Sequence, residues 1–134
     1  MAYMIKVSVG EILDKLSILE IKLHYATDEN QIANIKKEFN HLNGVAAPMW
    51  KQGRESLQEL YDSLKAINHQ LWDIEDAIRL KEHAKDFEQE FIDLARKVYL
   101  TNDRRAEKKR AINSLLQSDF FEEKVYTNAN YAES

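Results

Sequence analysis

A chain of 134 residues with a formal net charge of −4, no cysteine, three glycines and one proline is one domain's worth, long enough to bury a core without disulfides. The lack of cysteine excludes a disulfide framework, a thiolate metal site and thiol catalysis, and so few glycines and prolines leave too few turn signals for a sheet protein. The mild acidity argues against a nucleic-acid coat, no apolar run approaches the ~18 residues of a membrane span, and the opening MAYMIKVSV lacks a signal-peptide core, so a soluble, cytoplasmic, all-helical protein is expected.

Residues Ala2 to Val7 alternate loosely and read as a short extended arm. Ser8 with Glu11 forms a capping box, and Val7 with Ile12 is placed as the hydrophobic staple outside it. A first helix is therefore expected from Val9 to about Tyr25. Its wheel carries Ile12, Leu13, Leu16, Leu19 and Leu23 on one face and Ile18 and Ile21 on nearly the opposite one. Two carboxylates share those apolar surfaces, Asp14 and Glu20. A buried carboxylate needs a hydrogen-bonding or cationic partner.

Asp28 with Gln31 reads as the cap of a second helix, which carries Ile32, Ile35, Phe39 and Leu42 and is expected to stop at Asn43-Gly44. The stretch Val45 to Arg54 is the least regular, with Pro48 opening a turn and Gly53 weakening any helix. Met49 and Trp50 are expected to cover the open end of the core. A third helix, about 55 to 83, shows Leu57, Leu60, Tyr61, Leu64, Ile67, Leu71, Trp72, Ile74 and Ile78. A fourth, capped by Asp86 with Gln89 and running to Gln117, shows Phe87, Phe91, Leu94, Val98, Tyr99, Ala106, Ile112 and Leu116. Phe120, Phe121, Val125 and Tyr126 read as an apolar tail that folds back, and residues 127–134 as a disordered end.

The last two helices each span roughly 30 residues, about 45 Å at 1.5 Å per residue. The first two span about half that, and a short hairpin cannot cover a long one. Self-association is the usual way to bury the remainder. The sequence thus describes an all-α antiparallel bundle, a short hairpin (about 9–43) on a long one (about 55–117), in a single domain and a homodimer.

Polar residues interrupt the apolar stripes. Asn102, Arg105 and Lys109 lie at the centre of the fourth helix's stripe with Asn113 at its edge. On the third helix Asn68 and Glu75 lie mid-stripe, and Arg79 follows Glu75 at the spacing of an intrahelical ion pair. Carboxylates (Asp14, Glu20, Glu75), cations (Arg105, Lys109, Arg79) and amides therefore point to an internal polar layer. One reading is a network that fixes register and oligomeric state. The other is a pocket in which Arg105 and Lys109 hold an anionic small molecule, amides orient it, and Glu20 or Glu75 serves as acid or base.

Glu11 and Asp14, with Glu75, Asp76 and Asp103, are the acidic residues a Mg²⁺-dependent nucleotide pyrophosphohydrolase would use, but Glu11 already belongs to a cap and paired acidic motifs are not seen. His24, His41, His69 and His83 fall on different elements without i,i+4 pairing, which argues against zinc. No cofactor or metal is expected. The basic run Arg104, Lys108 and Arg110, broken by Glu107, reads as a solvated face near a helix C-terminus.

At VSVGEILDKLSILEIK (Val7 to Lys22), LWDIED (Leu71 to Asp76), and Tyr99, Asn102-Asp103, Arg105-Ala106, Lys109 and Ile112-Asn113, the chain resembles a family of short, all-helical bacterial and phage proteins of unknown function. The resemblance implies a free-standing small protein and assigns no catalytic residue. A looser likeness to helical chorismate mutases, which hold a dicarboxylate on Arg and Lys within a bundle, is one of architecture alone.

Overall fold

The computed structural model describes residues 1–126, so the disordered end expected at 127–134 lies outside the described residues. It is an all-α bundle of three helices, α1 (Val9–Tyr25), α2 (Glu29–His83) and α3 (Gln89–Leu115). The caps at Ser8 and Asp28 are as the sequence predicts: each side chain accepts the backbone N–H three residues on, from Glu11 at 3.2 Å and Gln31 at 2.9 Å.

Two expected boundaries are corrected. The second helix does not end at Asn43-Gly44. Gly44 keeps a negative φ and open space around it, and it is the residue whose carbonyl the Pro48 ring would crowd in a helix. Helix continues through Pro48, and the irregularity is confined to Arg54 (φ 50°, ψ −135°). That kink turns the two halves of α2 onto each other. In a straight helix Trp50 and Tyr61 would be about 16 Å apart along the axis, yet their rings meet edge to face at 5.1 Å.

The second correction concerns Asp86. The N-cap of α3 is Glu88, without a side-chain hydrogen bond, and Asp86 instead accepts from Lys81 Nζ at 3.0 Å and from the Glu88 N–H at 3.3 Å. It belongs to the close of α2, where Lys85 takes a left-handed conformation (φ 55°) and the Asp86 N–H returns to the Lys81 carbonyl at 2.9 Å. α3 ends in the same motif, with Gln117 at φ 53° and the Ser118 N–H on the Asn113 carbonyl at 2.8 Å.

The core joins Leu13 and Leu16 of α1, Ala46, Leu57, Tyr61 and Leu64 of α2, and Ile112 and Leu116 from the end of α3, with Phe39, Leu42, Met49 and Trp50 packed over it. Fully burying each large aliphatic side chain contributes about 1.5–3 kcal/mol. At the other end of α1, Tyr25 stacks on Trp72 with ring centroids 5.2 Å apart and its hydroxyl meets His69 Nε2 at 2.8 Å. The buried residues lie between Ser8 and Asn68 and between Thr101 and Leu116. From Leu71 to Leu100 no residue is buried.

Candidate functional site

The polar layer forms where α1 crosses the second half of α2 and the latter part of α3. On α3, Thr101, Arg105, Lys109 and Asn113 recur every four residues and so form one ridge. Thr101, Lys109 and Asn113 are buried and Arg105 is half-buried. Asp14 and Ser17, a turn apart on α1, face that ridge, and Asn68 of α2 closes the group.

Asp14 is its centre, 2 % exposed. Arg105 Nε donates to Oδ1 at 2.9 Å, and Arg105 Nη2 donates to Oδ2. Asn68 Nδ2 donates to the same Oδ1 at 2.9 Å and to Ser17 Oγ at 2.7 Å, while Ser17 Oγ donates back to the Asp14 carbonyl at 2.7 Å. Both carboxylate oxygens are thus occupied, and the forked guanidinium suits that geometry better than an ammonium would. The Asp14 hydrogen bonds hold the Arg105 guanidinium above its ordinary pKa against the effect of burial.

One turn further along α3, Lys109 is 6 % exposed and ion-paired with Glu11 and, at 2.7 Å, with Glu122. Burial works to lower its pKa, but the Glu11 and Glu122 carboxylates more than offset it, and the net shift is upward. Glu11 therefore spends its carboxylate on Lys109, a role its place in the Ser8 capping box did not suggest.

Next to this pair α1 begins almost in contact with α3. Gly10 N–H donates to Asn113 Oδ1 at 2.7 Å and Val9 N–H to Ser118 Oγ at 3.3 Å. With Ser8 serving Glu11, the free N–H groups of the first turn are satisfied by side chains, two of them from the far end of the chain. A Cβ on Gly10 would lie 2.7 Å from the Lys109 carbonyl oxygen and 2.9 Å from Asn113 Oδ1. Only glycine allows the approach.

Of the residues singled out from the sequence, Asp14, Asn68 and Arg105 come together, and Lys109 lies beside them. Asn113 lies on the same ridge, and Glu20, Glu75 and Asn102 are elsewhere. Glu20 is half-buried and pairs with Lys65 at 2.6 Å. Glu75 pairs with Arg79 on its own helix at 3.4 Å. Asn102, half-buried, points off the ridge on which its neighbour Thr101 lies. Neither Glu20 nor Glu75 meets Arg105 or Lys109. Thr101 and Ser17 were within reach of sequence reasoning, as the residues one turn from Arg105 and Asp14. Glu122 was not, because the tail has no helical period to place it.

Every charge in the layer is matched inside the chain, and the arrangement fixes helix position and rotation. A cleft at the end of the bundle, lined by Ile5, Val7, Ile12, Met49, Leu116 and Phe120 among others, includes neither Arg105 nor Lys109. Among the described residues no group of three or more His, Asp or Glu is placed to hold a metal ion, and no helix is long and apolar enough to cross a membrane. Fold and site together define a small helical-bundle protein with a buried ion-pair and amide layer.

The chain belongs to a family of unknown function, DUF6165, whose family profile matches residues 3–134. No curated protein and no solved structure matches the chain.

Proposed function

We propose that this protein is a non-catalytic, homodimeric interaction module, in which the polar layer sets the helices and the distal part of α2 and α3 docks a second copy. The observation that carries this is the distal hairpin. Between Asn68 and Thr101 no residue is buried, although apolar residues continue at helical spacing, and Leu80, Phe87, Ile92, Tyr99 and Leu100 are 41–71 % exposed. Two such hairpins side by side complete a four-helix bundle.

Charge favours a second copy as the occupant. Contacts Gln70 to Arg104 and Lys81 to Glu90 bracket the hairpin, so Glu75 and Asp76 on α2 stand level with Arg96 and Lys97 on α3. A two-fold axis along the hairpin sets the acidic pair of one copy against the basic pair of the other. The alternative, a carboxylated or phosphorylated ligand at Arg105 and Lys109, would require that ligand to displace the buried Asp14 from Arg105.

Light scattering of the purified chain across 1–100 µM is expected to give twice the chain mass, and Ile92→Asp with Leu80→Asp to give a folded monomer. A monomer for the unsubstituted chain at 100 µM overturns the proposal.

A further inference from the structure

After Gln117 the chain turns and runs back along α3. No residue from Asp119 to Tyr126 is buried, yet the segment is held at several points. Glu122 Oε2 reaches Lys109 Nζ at 2.7 Å, Glu123 Oε1 reaches Arg110 Nη1 at 3.1 Å, and Lys124 Nζ reaches Asp103 Oδ1 at 2.9 Å. Arg110 also donates to the Glu122 carbonyl at 3.4 Å and lies over the Phe121 ring at 5.4 Å from its centroid.

These contacts recognise a pattern of an aromatic residue, two carboxylates and a lysine, and they read backbone as well as side chains. They are also releasable. Exposed ion pairs are worth little individually and are screened by salt. The one buried charge involved, Lys109, keeps Glu11 when Glu122 leaves, so lifting the segment strands no unpaired ion in the core. Nothing comparable holds for Asp14, whose partners all come from the helices.

We propose that this face of α3, built from Asp103, Lys109 and Arg110, is a binding site for acidic peptide strands, which segment 119–126 occupies in cis and thereby masks. A partner strand with an aromatic residue ahead of two carboxylates takes the same place when the segment lifts. The tether from Gln117 to Glu122 is a few residues long, so the segment's effective concentration is of the order of millimolar. An incoming strand sees its affinity reduced by the fraction of sites left open.

The test uses the full chain and a fluorescent peptide with the sequence Ser118 to Tyr126, followed by anisotropy. Glu122→Gln with Glu123→Gln removes the competitor, and the peptide is expected to bind this variant at least tenfold tighter than the unsubstituted chain. Adding Arg110→Ala, at a position whose side chain is 54 % exposed and outside the core, is expected to reverse the gain, as is raising NaCl from about 50 to about 500 mM. Equal binding to both chains, no binding to either at millimolar peptide, or equal binding of a peptide with both glutamates changed to glutamine overturns the proposal. Thermal melts of each variant separate loss of the site from loss of the fold.

Discussion

Arg105 grips Asp14 at both carboxylate oxygens, across 91 residues of sequence, at a point where Asp14 is almost wholly out of water. An ion pair of this kind is weak evidence for net stability, because desolvation cancels much of the attraction, but removing one partner leaves the other buried and uncompensated. Arg105→Met is therefore expected to destabilise the fold by about 3 kcal/mol. Asp14→Leu combined with Arg105→Met is expected to recover at least half of that loss. Denaturant midpoints for the two single variants and the double variant measure the coupling, and strict additivity would show that the pair is not coupled.

Gly10 and Gly44 offer opposite expectations from the same substitution. Gly10→Ala places a Cβ against the Lys109 carbonyl and Asn113 Oδ1 and should cost about 1–3 kcal/mol by pushing α1 off α3. Gly44→Ala meets nothing within 4 Å and should stabilise α2 by up to about 1 kcal/mol, the helix-propensity difference. Thermal unfolding of both variants decides the matter. A Gly10→Ala chain as stable as the parent would mean that the helices are not in close approach there.

Stability should fall in alkali. Burial, and then the charge of Glu20, raise the Tyr61 pKa above 10.0, and Lys109 is raised above 10.5. Both groups hold their protons longer folded than unfolded, so their contribution is complete below about pH 10 and is lost as pH climbs past it. The melting temperature is expected to be level from pH 7 to 9 and to drop between pH 10 and 12. The Tyr61 hydroxyl is buried against the Glu20 carboxylate, without a hydrogen bond of good geometry among the described residues, and a poorly satisfied buried polar group costs about 1–3 kcal/mol. Tyr61→Phe should therefore be at least as stable as the parent at pH 7 and should shrink the alkaline drop. A loss above about 1.5 kcal/mol at pH 7 would mean that the hydroxyl is bonded after all.

Much of this molecule is visible in the order of its residues. Ser8 and Asp28 announce helix starts because a cap is a contact between neighbours three residues apart. Asp14, Arg105 and Lys109 announce themselves as inward-facing because they interrupt an apolar stripe, and a stripe is a property of one helix. Asn43-Gly44 does not end the second helix, because glycine permits a stop without requiring one. Nothing local says that Arg54, not a glycine, takes the φ of 50° that folds α2 back.

What the sequence determined alone is therefore the all-helical class, the starts of α1 and α2, and that Asp14, Arg105 and Lys109 turn inward. Which carboxylate meets which cation was decided by tertiary structure. Asp14 and Glu20 both lie on apolar surfaces of α1, about 9 Å apart along its axis, and the close approach at Gly10 sets which of them is level with Arg105. That height depends on how α1 is seated against α3, on the kink at Arg54 and on the returning tail that brings Glu122 to Lys109. Each of these joins parts of the chain far apart in sequence, and helical periodicity carries no information about such distances.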